Sequence, residues 1–257
     1  MDDFLQVAVE AARLGGGVLR QYYGKDKKIE YKGEIDVVTE ADRQSEKLIV
    51  DLLASHFPKH SVLAEEGNSA DKPSDYKWVI DPLDGTSNFA HDYPVFSVSV
   101  ALEKGEEIIV GVVYHPILEE LFVAEKGGGA RLNGKKIQVS KVSSLRKALL
   151  STGFPYDILE DPGEALAHFR NFIHASQGVR RDGSAALDLC YLAMGRFDGF
   201  WELRLKPWDT AAGMLIVVEA GGRVTNFAGR EFSIYEDNIL ASNALLHESM
   251  QAVINQG

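Results

Sequence analysis

Carboxylates gather at four points along this chain of 257 residues. In Asp81-Pro82-Leu83-Asp84-Gly85-Thr86, two acids leave the apolar run Trp78-Val79-Ile80 through a proline and a glycine. A strand ending in such a turn aims both side chains, and the Leu83 carbonyl, into one concave spot. Glu65-Glu66 follows Val62-Leu63-Ala64, Trp208-Asp209 heads the apolar stretch 211–220, and Asp36 with Asp42 brackets Val37-Val38-Thr39. Donors that are all oxygen select hard cations such as Mg²⁺ or Mn²⁺ over zinc or copper. Each cluster also has a plainer reading by itself. Asp81 and Asp84 would serve a turn, 65–66 would be a solvated loop, Asp209 would cap a helix, and Thr39 with Asp42 would form a capping box. A site for more than one cation accounts for all four together.

Such residues need rigid elements to aim them. Phe4, Val7, Ala8, Ala11, Ala12, Val18, Leu19 and Tyr22 recur at helical spacing, although Gly15-Gly16-Gly17 weakens the middle of that helix. A second helix is expected after its cap Thr39, through Leu48, Ile49, Leu52 and Leu53, until Pro58 stops it. Lys77-Trp78-Val79-Ile80 reads as a buried strand ending at Asp81. From Val95 to Val139, β-rich runs are broken by Glu103-Lys104-Gly105, Gly127-Gly128-Gly129 and Asn133-Gly134, which predicts an antiparallel meander. After residue 145, strands at 149–151, 199–202 and 239–241 alternate with helices at 163–175, 184–194 and 210–220 and a final helix. The expected organisation is an α+β part over 1–145 with a mostly antiparallel sheet and most of the acidic clusters. An α/β part over 146–257 packs against it and carries Asp209, the two forming a single compact unit with a soft boundary.

Composition narrows the ligands. With 45% hydrophobic and 25% charged residues the chain is a folded globule. Its 27 Lys and Arg against 38 Asp and Glu leave a net charge of −11, which repels nucleic acid and anionic membrane. An anionic substrate therefore needs bound cations. The single cysteine, Cys190, lies in an apolar run and excludes an internal disulfide or a cysteine-built zinc site. An acidic Met1-Asp2-Asp3-Phe4 and the lack of any apolar run near ~20 residues give the expectation of a cytoplasmic protein.

Three stretches together resemble, in order and separation, the signature segments of the inositol monophosphatase family. They are Glu65-Glu66, the run from Trp78 through Asp81-Pro82-Leu83-Asp84-Gly85-Thr86-Ser87-Asn88 to Phe89, and Trp208-Asp209-Thr210-Ala211-Ala212-Gly213 through Glu219-Ala220-Gly221-Gly222. The resemblance implies a layered α/β/α/β/α sandwich of the sugar-phosphatase type. It also implies a homodimer and Mg²⁺-dependent, lithium-sensitive hydrolysis of phosphate monoesters. By the same resemblance, Glu65, Asp81 and the Leu83 carbonyl hold an activating cation, and Asp81, Asp84 and Asp209 hold a second. A third, weaker cation uses Glu65 and waters. Two or three Mg²⁺ per subunit are thus expected, with Mn²⁺ able to substitute and Ca²⁺ and Li⁺ inhibitory. Two-metal sites, with cations about 4 Å apart, stabilise both the attacking and the leaving oxygen of an in-line displacement, so donor chemistry and resemblance agree.

Thr86 matches the family residue that orients the attacking water and Asp42 its partner, and Glu65 joins them in the catalytic set. Gly85 and Thr86 open a helix whose amides suit a phosphate, beside Asp84 and Asp209. Gly183, Ser184, Ala185 and Glu202 match positions that contact sugar or cyclitol hydroxyls. Ser87 stands where the family often has Thr, and 155–178 matches no usable pattern, which suggests a substrate rim or dimer contact. Inositol 1-phosphate leads as substrate. Fructose 1,6-bisphosphate, other sugar phosphates, histidinol phosphate and an adenosine bisphosphate keep the same chemistry. A regulatory protein that binds cations without catalysis is the reading of another class.

Other signals fall away. Residues 129–136 imitate a nucleotide-binding P-loop but carry Lys136 where Ser or Thr is needed, in a hairpin setting. The seven histidines form no helical metal pair. Arg180-Arg181 is left outside the site as a solvated or interface pair.

Overall fold

The first helix, α1 (Phe4–Tyr22), is followed by short antiparallel strands β1 (Ile29–Tyr31) and β2 (Val37–Thr39), then by α2 (Glu40–His56). The computed structural model describes residues 4–25, 29–31 and 37–256, so Asp36 lies outside the described residues. Thr39 caps α2 as its spacing predicts: its hydroxyl accepts the Ala41 amide at 3.2 Å, while the Asp42 carboxylate accepts the Thr39 amide at 2.9 Å. The glycines of α1 do not break it. A Cβ on Gly15 would stand 2.7 Å from Ile49 and Ser45 of α2, and one on Gly16 would stand 2.6 Å from the Tyr114 ring. Their absent side chains let α1 approach closely, which offsets a propensity loss of ~1 kcal/mol at each.

A seven-stranded sheet follows, its strands adjacent in chain order: β3 (Ser61–Ala64), β4 (Tyr76–Asp84), β5 (Ser97–Lys104), β6 (Glu107–His115), β7 (Glu120–Glu125), β8 (Gly129–Leu132) and β9 (Lys135–Lys136). β3 runs parallel to β4 and every later pairing is antiparallel, the expected meander. The short helix α3 (Thr86–Ala90) links β4 to β5. Residues 129–136 make the β8–β9 hairpin about Asn133-Gly134, not a loop before a helix.

Then come β10 (Leu149–Thr152), α4 (Gly163–Ala175), β11 (Gly178–Arg180), α5 (Ala185–Ala193), β12 (Gly199–Leu203), α6 (Pro207–Glu219), β13 (Arg223–Thr225), β14 (Asn238–Ser242) and α7 (His247–Ile254). Five of these strands form a mixed sheet in the order β11-β10-β12-β14-β13. β10 is parallel to both neighbours, and β14 is antiparallel to both of its own.

Three apolar cores define the layers. Leu19, Ile49 and Leu53 of α1 and α2 meet Trp78, Val98 and Val112 on one face of the large sheet. Its other face, with Val113 and Phe122, packs on Leu189 and Ile216 of α5 and α6, and these also meet Phe200 and Ala241 of the mixed sheet. Phe172 and Met250 of α4 and α7 cover the far side, on Trp201 and Leu240. The fold is thus the five-layer α/β/α/β/α sandwich. Helix α6 is apolar nearly all round because a sheet lies on either side of it. Among the described residues no helix is long and apolar enough to cross a membrane.

One departure from the sequence reading matters for the site. β4 does not end at Asp81 but continues to Asp84. Asp81 pairs with Ser99 and Asp84 with Ser97, so β4 carries one residue more than β5 across this step, a β-bulge. Pro82, which cannot donate to a ladder, sits inside it. In a regular strand, residues three apart face opposite sides. The extra residue at the bulge turns Asp81 and Asp84 toward the same side.

Candidate active site

That shared side is a hollow lined by Asp81, Leu83, Asp84 and Thr86, together with Glu65 from the end of β3 and Asp209 from the head of α6. A second hollow adjoins it. The two share Asp84, Gly85, Thr86, Tyr156, Lys206 and Asp209, and the second extends to Gly183, Ser184, Ala185 and Glu202. The structure therefore collects the acidic donors at one end and the expected hydroxyl-facing residues at the other. Asp42 lies behind Thr86.

Asp84 joins the halves. Its Oδ2 accepts the Ser184 hydroxyl at 2.5 Å, the Ala186 amide at 2.9 Å and the Ser97 hydroxyl at 3.5 Å. Ser184 thus ties the head of α5 to the bulge. Asn88 reinforces this by donating to the carbonyls of Val95 at 2.7 Å and Asp182 at 2.8 Å. Gly85 adopts φ 95°, and a Cβ there would meet the Val95 carbonyl at 2.9 Å. Glycine alone suits both demands.

Glu65 is positioned from α2. Buried Glu46 accepts the amides of Glu66 at 2.6 Å and Asn68 at 2.9 Å, while Ser45 donates to the Pro82 carbonyl at 3.0 Å. Asp209 is the third residue of α6, which starts at Pro207 rather than at Thr210. Its Oδ2 accepts the Lys206 amide at 2.7 Å. One carboxylate thus caps the helix and lines the cavity.

The Thr86 hydroxyl lies 3.2 Å from Asp42 Oδ1 and 3.0 Å from the Leu83 carbonyl, so its one proton can go to either. Burial pushes the Asp42 carboxyl up to about 6, with Glu66 adding to the rise and hydrogen bonds from Thr39 opposing it. Burial also raises Asp81 well above the usual carboxylate range, and the like charges of Glu65, Asp84 and Asp209 raise it further. Asp209 rises through burial and then Asp84. Carboxylates that raise one another in a buried cavity call for cations, and an all-oxygen donor set fits Mg²⁺. Among the described residues no three acidic or histidine side chains are gathered as tightly as a bound ion would gather them.

Several residues of the site escaped the sequence reading. Arg181 lines the second hollow, while Lys206 and Tyr156, the latter from the unmatched 155–178 segment, line both. Gly153 gives Glu202 its room: a Cβ there would lie 2.1 Å from Glu202 Oε1. Glu46 had a legible signal, since 42, 46, 49 and 53 fall on one helical stripe, and all four residues are buried.

The model of the inositol monophosphatase family matches residues 1–256. The fructose-1,6-bisphosphatase/inositol-1-monophosphatase of Aquifex aeolicus is 44% identical over 247 residues, covering 95% of this chain and 92% of the relative. The Nus factor SuhB of Vibrio cholerae is 42% identical over 246 residues, with the same coverage of 95% and 92%. The crystal structure of the extragenic suppressor protein suhB from Bartonella henselae shares the fold at a TM-score of 0.95 and 41% identity, over 99% of each chain. The family is typically Mg²⁺-dependent. A match of this extent, joined to the sandwich fold and the acidic cavity, makes this chain a member of the inositol monophosphatase family of phosphomonoesterases.

Proposed function

We propose that this phosphatase hydrolyses a polyol phosphate, inositol 1-phosphate foremost, with Mg²⁺ held by Glu65, Asp81, the Leu83 carbonyl, Asp84 and Asp209. The observation that carries this reading is the pair of hollows meeting at Asp84, Gly85, Thr86 and Asp209, acidic at one end and lined by Gly183, Ser184, Ala185 and Glu202 at the other. Bound Mg²⁺ would supply Lewis-acid stabilisation of the phosphoryl group and lower the pKa of the attacking water. The chain's own residues do the rest. Amides of Gly85 and Thr86 face the phosphate, and Thr86 passes a proton toward Asp42. A homodimer, as the resemblance implies, completes the reading.

Fructose 1,6-bisphosphate is the runner-up, because the Aquifex relative is named for both activities. The Vibrio relative's name as a Nus factor belongs to that protein. Here a net charge of −11 and a cavity walled by carboxylates support a small ester as ligand rather than a polynucleotide. The deciding experiment is phosphate release from a panel of monoesters with Mg²⁺ and with chelator. Activity is expected with Mg²⁺ or Mn²⁺, lost in chelator, and inhibited by Ca²⁺ and, uncompetitively, by Li⁺. Mg²⁺ should also raise the melting temperature. Full turnover in excess chelator sinks the metal assignment.

Glu202 tests the polyol end. Burial pushes its carboxyl up to about 8, with Arg181 opposing and Asp84 adding. A carboxyl group raised in this way can give a hydrogen bond to a hydroxyl as well as accept one. Glu202→Gln is expected to raise KM for inositol 1-phosphate several-fold, by an order-of-magnitude argument for one altered contact. The kcat for p-nitrophenyl phosphate should stay near that of the wild type. Equal loss of turnover on both esters would move Glu202 into the metal shell.

A further inference from the structure

Asp188 has no role in the chemistry described above. It stands in α5, whose sequence Ala-Ala-Leu-Asp-Leu-Cys-Tyr-Leu-Ala is otherwise almost wholly apolar. The residue is 2% exposed, and its Oδ1 is buried with no hydrogen-bond partner. Buried carboxylates are as a rule paired or hydrogen-bonded. Asp188 also lines the same hollow as Glu202, Gly153 and Arg181, where a ligand's polar group can meet its carboxyl group. Placement in the first turn of α5 gives it a weak helix-dipole interaction, but that does not satisfy the oxygen.

We propose that Asp188 is a specificity-determining residue of this phosphatase: its carboxyl group hydrogen-bonds a ring hydroxyl next to the one that Glu202 meets, so the pocket selects phosphate esters that carry vicinal diols. The inference rests on the phosphatase reading and deepens it. Glu202 is itself 7% exposed, so both carboxyl groups meet a substrate in a largely water-free wall. Burial raises Asp188, the charges of Asp182 and Glu202 raise it further, and Arg181 opposes the rise at both acids. Two neighbouring carboxyl groups offer several hydrogen-bonding oxygens, and adjacent hydroxyls, each able to donate and accept, offer the complementary set. A phosphate ester without neighbouring hydroxyls leaves both groups unmatched, and sites built to hydrogen-bond a hydroxyl discriminate against analogues that lack it.

The test compares wild type, Asp188→Ala and Asp188→Asn on three kinds of ester with Mg²⁺ present. These are inositol 1-phosphate, analogues lacking one ring hydroxyl each, and p-nitrophenyl phosphate. Asp188→Ala is expected to lower the ratio of kcat/KM for inositol 1-phosphate over the aryl ester by about 10- to 100-fold, mainly through KM. Asp188→Asn should recover most of that ratio, because an amide also gives and receives hydrogen bonds. The wild type should penalise removal of one particular hydroxyl, and that penalty should vanish in Asp188→Ala. A ratio within about twofold of wild type, or a deoxy penalty that persists in Asp188→Ala, overturns the proposal. Where Asp188→Ala does not fold, Asp188→Ser takes its place in the same comparison. A wild-type chain that releases phosphate from no ester overturns the phosphatase reading, and this proposal with it; an active wild type with an unchanged ratio in the variant overturns the role of Asp188 alone.

Discussion

Asp81→Asn and Asp84→Asn are each expected to lower kcat at least about 10²-fold, the scale on which one preorganised electrostatic stabiliser acts. The two should differ in their other effects. Asp81 is crowded by Glu65, Asp84 and Asp209, so its neutral replacement relieves repulsion. The metal-free Asp81→Asn protein should therefore melt higher than the metal-free wild type, while its gain from Mg²⁺ shrinks. Asp84 receives three donors at one oxygen, from Ser184, Ala186 and Ser97. Its amide oxygen can take the same place but lacks the charge that strengthens all three bonds, so Asp84→Asn should loosen the head of α5 and lower the melting temperature. Wild-type melting against pH gives an independent check. These carboxyl groups are raised on folding, so the folded protein holds more protons than the unfolded chain at intermediate pH. Metal-free stability should then fall as pH rises from about 4 through the raised value of about 8 at Glu202. Unchanged turnover in Asp81→Asn, or a metal-free protein indifferent to pH, would remove the cation site from this cavity.

Much of this site is legible in one dimension because its parts are local. Glu65 directly follows β3 and Asp84 ends β4, and with Asp81 they stand where apolar runs stop and turn residues begin in the sequence. The capping box of Thr39 and Asp42 follows from spacing alone, and the structure keeps it. What the linear pattern lacked was the bulge. A proline within a buried strand reads as a terminus, yet pairing with β5 carries β4 on to Asp84 and rotates it on the way. Contacts between distant segments were equally silent. Glu202 needs Gly153, 49 residues earlier, and nothing in either neighbourhood announces the pairing. The glycines of α1 misled in the opposite direction, because helix propensity counts their cost without seeing the ring of Tyr114 or the side chain of Ile49 that needs the space. Asp188 was in plain view as a lone acid in an apolar helix, but its use depends on a cavity that only the packing of α5 against β12 defines.

The pair Thr86 and Asp42 should carry the second large effect. Thr86→Ala removes the hydroxyl that bridges the Leu83 carbonyl and Asp42, and a loss in kcat of about 10²- to 10⁴-fold is expected, the range for a positioned proton-transfer group. KM should move little, since the Gly85 and Thr86 amides remain. Asp42→Asn should reach a similar kcat, and the double variant should be little worse than either, because two members of one relay fail together. The pH profile distinguishes a relay from a structural prop. Asp42 accepts a proton only when ionised, and burial has pushed its carboxyl up to about 6, so kcat should fall as pH drops through that region. Thr39 holds this value down by donating its hydroxyl at 2.5 Å and its amide at 2.9 Å. Thr39→Val deletes the hydroxyl, so the acidic limb should shift to higher pH while Thr39→Ser leaves it in place. A limb that ignores Thr39→Val, or kcat losses that multiply in the double variant, would show that Asp42 only props α2 and that the proton leaves by another path.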